Sequence, residues 1–328
     1  MRFSRRTFLA SSLAAGAVAA AESPESQWFL AKGKPVHIGL VDCGADADYV
    51  ALIAAIPRTK IVGLVNMHGT VAQEYMMLLS EWGRPGPKVY DNLVRMLQDS
   101  SLDVVFLAGK RLLGPSILKR VTEAGFPVLA DWPPEVTHSE QQIVLDVLRL
   151  AETPVHFRTD QLAEGAGIKE IRNWLVRSGA ARIQVTLVSP IGVGREHLHT
   201  AGTLSLSAVL GVCGQPATAL QSWLGSTLRP INSGGGRKLA KISVPDNPYG
   251  IEHLYLRPYG GHSKLARLLL EHRGGSLEIP ISDVANPQDS LRTTIRFLSR
   301  VTSQLPVDNS DSLHLQLASI RMQSVQTN

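Results

Sequence analysis

The chain has 328 residues, of which 44% are hydrophobic and 19% charged, and its formal net charge is +5. This composition is typical of a folded globular protein and excludes a disordered or fibrous chain, and the length predicts two domains. Three of the net positive charges belong to Arg2, Arg5 and Arg6, within an N-terminal segment that contains no acid. With no strongly basic, aromatic face elsewhere, we expect no nucleic-acid partner.

The N-terminus resembles an export signal. A basic start precedes an apolar run from Phe8 to Ala21, which is too short and too weakly apolar for a membrane-spanning helix. Ser4-Arg5-Arg6-Thr7-Phe8-Leu9 matches the bacterial twin-arginine signal. An ordinary secretory signal or an uncleaved anchor is the alternative. We predict a signal peptide over residues 1–21, a linker over residues 22–34 and export to the periplasm, with no stable membrane span.

The chain contains two cysteines, Cys43 and Cys213, which lie far apart in the sequence. Two cysteines exclude a disulfide scaffold and a four-cysteine zinc site. A single bridge and a pair of buried thiols both remain open, and we favour the thiols.

Residues 35–158 alternate between two kinds of segment. Short apolar runs predict strands at residues 36–41, 60–65, 87–90, 102–107, 127–130 and 154–157. Helical spacing predicts helices at residues 48–56, 72–82, 93–98, 115–124 and 140–151. This alternation predicts an α/β domain with a Rossmann-type, doubly wound parallel sheet. In such a domain the ligand binds beyond the carboxyl ends of the strands, at the first strand–turn–helix connection.

That first turn departs from a phosphate-binding sequence. Measured against G-x-G-x-x-G/A, Asp42 takes the first glycine position, Gly44 the second and Ala47 the tolerated third. A carboxylate about 5 Å from a pyrophosphate charge costs roughly 3 kcal/mol at an effective dielectric of 20. Asp46 and Asp48 add negative charge that caps the following helix without any nucleotide. A retained dinucleotide site and a self-capped turn both remain open.

Three segments carry a family resemblance: the degenerate turn, Leu102–Ala108, and Ala124–Pro133 with its Asp131-Trp132-Pro133 ending. Together they resemble the Gfo/Idh/MocA oxidoreductases, the family of glucose–fructose oxidoreductase and inositol dehydrogenase. The resemblance implies a C-terminal α+β domain over residues 159–328, with a large open, mainly antiparallel sheet. It also implies NAD or NADP as cofactor, a sugar-like small-molecule substrate, and homo-oligomers formed through that sheet.

The catalytic positions of the family are substituted in both domains. Its Glu-Lys-Pro falls on residues 131–133, so Trp132 replaces the lysine. Its Thr-Pro-x-x-x-His places Lys110 and Gly114 at the proline and histidine. Its Asp-x-Gly-x-His places Thr200 and Leu204 at the acid and histidine. Hydride transfer from a carbinol needs a base for the hydroxyl proton, so we assign no catalytic residue.

The candidate cofactor-binding residues surround the predicted strand ends. Asn66 ends the second strand, where an acid would bind a ribose hydroxyl, although an amide can still hydrogen-bond. Strands one and four are neighbours in this fold, so Asp42 and Lys110 are expected to form an ion pair that closes the site, and Trp132 to fill nicotinamide space. The complete set is Gly39, Asp42, Gly44, Ala47, Asn66, Lys110 and Asp131.

Histidines and a glycine-rich segment offer weaker sites. His197 and His199 would share one face of a strand, but no third metal ligand is evident nearby. His262 could replace the missing base, and a solvated turn residue is the favoured interpretation. Residues 233–238 resemble a phosphate cradle, but the strand-like sequence that follows favours a hairpin loop.

Three functions remain. The favoured one is a catalytically degenerate member of the family with a binding or assembly role. The alternatives are an active NAD(P)-dependent sugar or cyclitol oxidoreductase with relocated catalytic groups, and a metal-assisted hydrolase or lyase on the same scaffold.

Overall fold

The computed structural model describes the helices and strands of both predicted domains. The described residues are 24–42, 53–54, 56–66, 73, 76–77, 79–80, 85–99, 101–108, 115–130, 138–157, 166–178, 183–190, 207, 210–215, 218–219, 229–233, 237–243, 251–259, 267–272, 275–280, 287–304, 309, 313–314 and 317. Two compact units result, the first formed by Met1–Arg158 with Pro287–Asn309, the second by Thr159–Asn286 with Ser310–Asn328.

The first unit is built on a parallel sheet of six strands. They are β1 (Val36–Asp42), β2 (Thr59–Asn66), β3 (Lys88–Tyr90), β4 (Val104–Ala108), β5 (Val128–Ala130) and β6 (Val155–Phe157). Their order is β3-β2-β1-β4-β5-β6, and every neighbouring pair is parallel. This is the strand order of a dinucleotide-binding Rossmann domain, so the predicted fold class is confirmed.

Helices cover both faces of this sheet. The first unit contains α1 (Pro24–Lys32), α2 (Leu93–Leu97), α3 (Pro115–Glu123), α4 (His138–Leu150) and α6 (Pro287–Thr302), and the second unit contains α5 (Ala166–Ser178). Alternate residues of β1 and β4 join α1 and α6 in one buried cluster, which includes Ile38, Phe106 and Leu298. On the opposite face, Met96 of α2 packs over β1 and β2.

The second unit contains a mixed sheet of six strands. They are β7 (Ile183–Pro190), β8 (Arg229–Ser233), β9 (Arg237–Ser243), β10 (Ile251–Tyr259), β11 (Arg267–His272) and β12 (Gly275–Pro280). The order is β12-β11-β7-β10-β9-β8, with only β7 and β10 parallel among these pairs. The predicted mainly antiparallel sheet is therefore present. The glycine-rich segment connects β8 to β9 as an antiparallel hairpin, as predicted.

Two segments differ from the sequence-based division. Residues 22–34 are predicted as a linker, but most of them form α1, and Phe29 is completely buried in the core. Residues 287–309 are predicted in the second domain, yet they join the first unit, where Leu291, Ile295 and Leu298 of α6 are buried. Both helices pack in the same cluster, which a local sequence pattern does not reveal.

A membrane-spanning helix must be both long and apolar, and the helices in the described part of the chain do not meet these requirements.

Candidate functional site

The carboxyl ends of the central strands define the candidate site. Asp42, the last residue of β1, lies in register with Asn66 of β2 on one side and Ala108 of β4 on the other. The order of the strands reverses between β1 and β4, which makes this point the switch at which Rossmann-type sheets bind ligands. The structure thus brings Asp42 and Asn66 together at the site where the sequence predicts them.

Most of the other predicted site residues lie outside the described part of the chain. Lys110 is two positions beyond the end of β4, and Asp131 and Trp132 immediately follow β5. The ion pair between Asp42 and Lys110 and the placement of Trp132 therefore stay predictions. The remaining candidates outside the described residues are Gly44, Ala47, Gly114, His197, His199, Thr200, Leu204 and His262.

Gly39 is not at the strand end, although the sequence places it among the cofactor-binding candidates. It lies three residues before Asp42 in buried β1, opposite Gly63 of β2. A Cβ atom on Gly39 would lie 3.1 Å from the Cε of Met96 and 3.2 Å from Leu102. The paired glycines leave room for Met96, so the position of Gly39 is explained by packing of α2 on the sheet.

The fit of a dinucleotide can be judged from the end of β1. The strand order provides the switch point at which a dinucleotide would bind. The residue that ends β1 at this point is Asp42, whereas a glycine would let the pyrophosphate approach the backbone. A carboxylate repels the phosphate anion and lacks the permissive backbone of glycine. An acid at this position is unfavourable for a pyrophosphate by its charge, and we derive no reaction step through a nicotinamide cofactor.

A polar network that the sequence analysis missed anchors the edge strand β3. The hydroxyl of Tyr90 donates a hydrogen bond to Asp99, which also accepts from the amide (3.0 Å) and hydroxyl (2.7 Å) of Ser101. These bonds hold the pKa of Asp99 well below its usual range, while burial and Asp99 raise the pKa of Tyr90. The ammonium of Lys88 lies 3.7 Å from Asp99 and 4.6 Å from the centre of the Tyr90 ring. The donors and acceptors satisfy one another, so this network is structural.

Burial shifts the pKa of two further groups, His156 and Cys213. The ring of His156 in β6 stacks on Phe297 of α6 with centroids 5.2 Å apart, and burial, together with Arg296, lowers its pKa to about 4. Cys213 is a free, buried thiol whose pKa is raised to about 12 by burial. A thiol that stays protonated is a poor nucleophile and metal ligand.

A metal centre finds no support among the described residues. In that part of the chain, no group of three or more His, Cys, Asp or Glu side chains could hold a metal ion. His197 and His199, the predicted ligand pair, lie outside it.

Comparison with known proteins gives matches in structure. No protein-family model and no curated protein sequence matches the chain. Among solved structures, GenD2 from gentamicin A biosynthesis, in complex with NAD, matches with a TM-score of 0.60 and 11% identity, covering 87% of this chain and 92% of that one. Scyllo-inositol dehydrogenase from Lactobacillus casei, with bound NAD(H) and scyllo-inositol, matches with a TM-score of 0.59 and 13% identity, covering 90% of this chain and 97% of that one. Myo-inositol dehydrogenase from the same organism, in complex with NAD(H) and myo-inositol, matches with a TM-score of 0.59 and 12% identity, covering 89% of this chain and 95% of that one.

These matches agree with the resemblance found in the sequence. They span nearly the full length of both chains, so they include the Rossmann unit and the unit with the mixed sheet. At identities this low the similarity establishes architecture. The chain thus has the fold of the Gfo/Idh/MocA-type oxidoreductases.

Proposed function

We propose that this chain is an exported member of the Gfo/Idh/MocA family that has lost hydride transfer and binds a small, sugar-like ligand in a binding or assembly role. The observation that carries this proposal is the register of the strand ends. It supports the position assigned to Asp42 in the first turn, because Asp42 ends β1 between Asn66 and Ala108.

The same register supports the alignment of the family's catalytic motifs. Residues 109–114 follow β4 and residues 131–133 follow β5, which are the strands that precede those motifs in the resemblance. At these positions Gly114 and Trp132 stand where the family has its histidine and lysine. A single loss would be compatible with an enzyme, but losses in both domains favour loss of catalysis.

An active NAD(P)-dependent sugar or cyclitol oxidoreductase is the second candidate function. The structures that favour it are neighbours that contain NAD or NAD(H), two of them with an inositol bound. In such an enzyme, side chains at other positions would take the hydroxyl proton of the substrate in place of the substituted catalytic residues. Self-association through the second sheet is compatible with both functions.

The deciding experiment combines binding and turnover on the purified protein. Its melting temperature is measured with NADH, NADPH and a panel of cyclitols and sugars, and each cyclitol and sugar is then tested for reduction of NAD⁺ or NADP⁺. A ligand at a hundred times its Kd stabilises the native state by about 2.7 kcal/mol, which such a scan detects. We expect stabilisation by at least one cyclitol or sugar and no turnover. Turnover would establish the second candidate, and no stabilisation by any of the sugars would overturn the binding role.

A further inference from the structure

A cleft lies between α3 and α4 in the first unit, with a volume of about 550 Å³, which is within the usual range of small-molecule sites. Its walls come from the last turn of α3, the last two turns of α4 and the segments that follow both helices. These segments lead into β5 and β6, so the cleft lies toward the amino ends of the strands. Asp42 is at the carboxyl ends of the same parallel sheet, and the cleft is therefore separate from the candidate site.

One wall of the cleft is apolar. Ile143, Val147 and Leu150 share one face of α4, because they are four and three residues apart. Val147 is buried, but Ile143 is 37% exposed and Leu150 is 79% exposed. A ligand with a hydrocarbon portion would remove apolar surface of the two exposed side chains from water.

The charged side chains of the cleft are mainly acidic. Glu123, Asp146 and Glu152 lie in its walls. Among the described lining residues Lys119 is the one cation, and its ammonium lies 3.7 Å from Glu123. Arg149, which does not line the cleft, lies 3.9 Å from Asp146. Glu152 forms no ion pair with any residue that the structure describes, so its charge is available to a cationic ligand.

The arrangement of these carboxylates indicates the type of cation. No three acidic, histidine or cysteine side chains in the described part of the chain are placed to hold one metal ion, so a cation that reaches several of these carboxylates must be extended. Three carboxylates and one ammonium leave two net negative charges in the walls. The carboxyl ends of α3 and α4 add partial negative charge at the cleft. Two ammonium groups joined by a hydrocarbon chain match both this charge and the apolar wall.

The segment after α4 contributes a polar group that fits such a ligand. The side chain of Asn309 fixes this segment, because it accepts a hydrogen bond from the amide of Val155 at 2.8 Å and donates one to the carbonyl oxygen of Thr153 at 3.1 Å. Thr153 lines the cleft, and its buried hydroxyl oxygen has no hydrogen-bond partner among the described residues. A buried hydroxyl without a partner is unfavourable, and one of the three donors of an ammonium group would satisfy it.

We propose that the cleft between α3 and α4 binds an aliphatic diammonium ion. The hydrocarbon chain of the ligand lies along Ile143 and Leu150, and its ammonium groups interact with the carboxylates of the walls, that of Glu152 among them. This site is additional to the sugar-binding role of the proposed function and does not depend on it.

Calorimetric titration of the purified protein with cadaverine, at neutral pH and low ionic strength, tests the proposal. Cadaverine carries two ammonium groups on a five-carbon chain, pentylamine carries one on the same chain, and pentanediol carries no charge. We expect cadaverine to bind, pentylamine to bind about two- to fivefold more weakly, and pentanediol not to bind. A failure of cadaverine to bind, or equal affinities for cadaverine and pentylamine, would overturn the proposal.

A matched pair of variants tests the contribution of charge. Glu152→Gln removes an exposed carboxylate from the walls, and Glu170→Gln removes an exposed carboxylate from α5 in the second unit. We expect cadaverine to bind about two- to fivefold more weakly to Glu152→Gln and as tightly as to the wild type to Glu170→Gln. Both residues are exposed, so the melting temperature of each variant without ligand should equal that of the wild type. Equal affinities of the two variants would contradict the proposal.

A second pair tests the apolar wall. Leu150→Ala shortens a side chain of the cleft, and Val176→Ala shortens one that is 69% exposed on α5. We expect Leu150→Ala to weaken both cadaverine and pentylamine by about threefold and Val176→Ala to change neither. Unchanged binding to Leu150→Ala would overturn the assigned position of the hydrocarbon chain. The sugar-binding and turnover assays are independent of these titrations, so either proposal can fail without the other.

Discussion

At the scale of single residues, Asp42 has the largest influence on the proposed function. It ends β1 at the point where the sheet order reverses and takes a position that a glycine holds in phosphate-binding turns. One negative charge at this position opposes a bound pyrophosphate. We therefore expect the charge of this residue to weaken the binding of a dinucleotide to the Rossmann scaffold.

Replacing Asp42 by Asn is predicted to tighten NADH binding. The substitution removes about 3 kcal/mol of repulsion, which corresponds to an increase in affinity of up to roughly 100-fold. Titration of NADH followed by its fluorescence gives the Kd for each protein. Asp42→Glu keeps the charge and serves as the control, and equal affinities of the two variants would argue against electrostatic exclusion.

His156 makes the first unit sensitive to acid. Its pKa is about 4 in the folded protein against 6.5 for an unperturbed histidine, so the unfolded chain binds a proton that the native state excludes. The free energy of unfolding is therefore expected to fall as the pH decreases from about 6.5 to about 4. The difference between the two pKa values corresponds to a loss of up to about 3 kcal/mol.

Urea unfolding of the wild type and of His156→Gln at several pH values measures this loss. Glutamine does not titrate, so the difference between the two proteins isolates the contribution of the histidine from that of other groups. A difference that stays constant between pH 7 and pH 4 would show that His156 does not couple folding to protonation.

At the scale of secondary-structure elements, α1 provides a clear test because neighbouring aromatic residues have different environments. Phe29→Ala is predicted to destabilise the first unit by about 3–5 kcal/mol, since Phe29 is completely buried. Trp28 is 51% exposed on the same helix, and Trp28→Ala should cost only about 1 kcal/mol. Thermal or urea unfolding of both variants makes the comparison, and equal losses would mean that α1 is not part of the core.

The predictability of the elements follows from their burial. Strands β1, β2 and β4 lie inside a parallel sheet, where apolar side chains are required on both faces, and the sequence predicts all three within two residues at each end. Helix α1 is preceded by Glu22 and Ser23 and contains mostly polar or small residues, so it resembles a linker. Its one buried aromatic residue, Phe29, is identified as part of the core only by the buried cluster that it shares with α6.

At the scale of the whole molecule, helix α6 completes the unit that the N-terminal half begins. Its buried side chains Leu291, Ile295 and Leu298 join the core formed by β1, β2 and β4. The first unit therefore lacks part of its core until α6 has been synthesised.

Leu298→Ala is predicted to destabilise the first unit by about 2–5 kcal/mol. Arg300 lies on the exposed face of the same helix, and Arg300→Ala should change stability by no more than about 0.5 kcal/mol. Denaturant unfolding, followed by a spectroscopic signal that reports on the first unit, measures the free energy of unfolding of both variants. A small effect of Leu298→Ala would indicate that the first unit is stable without α6.

The sequence by itself predicts the Rossmann-type alternation, the strands that lead to Asp42 and Asn66, and the substitutions at positions that align with the family's catalytic motifs, because local periodicity and motif spacing carry these features. The tertiary structure alone decides that Gly39 packs under Met96, that α1 is folded and that α6 belongs to the first unit. These depend on contacts between segments distant along the chain. Their burial stabilises the fold only once the segments meet, and no pattern within one segment specifies its partner.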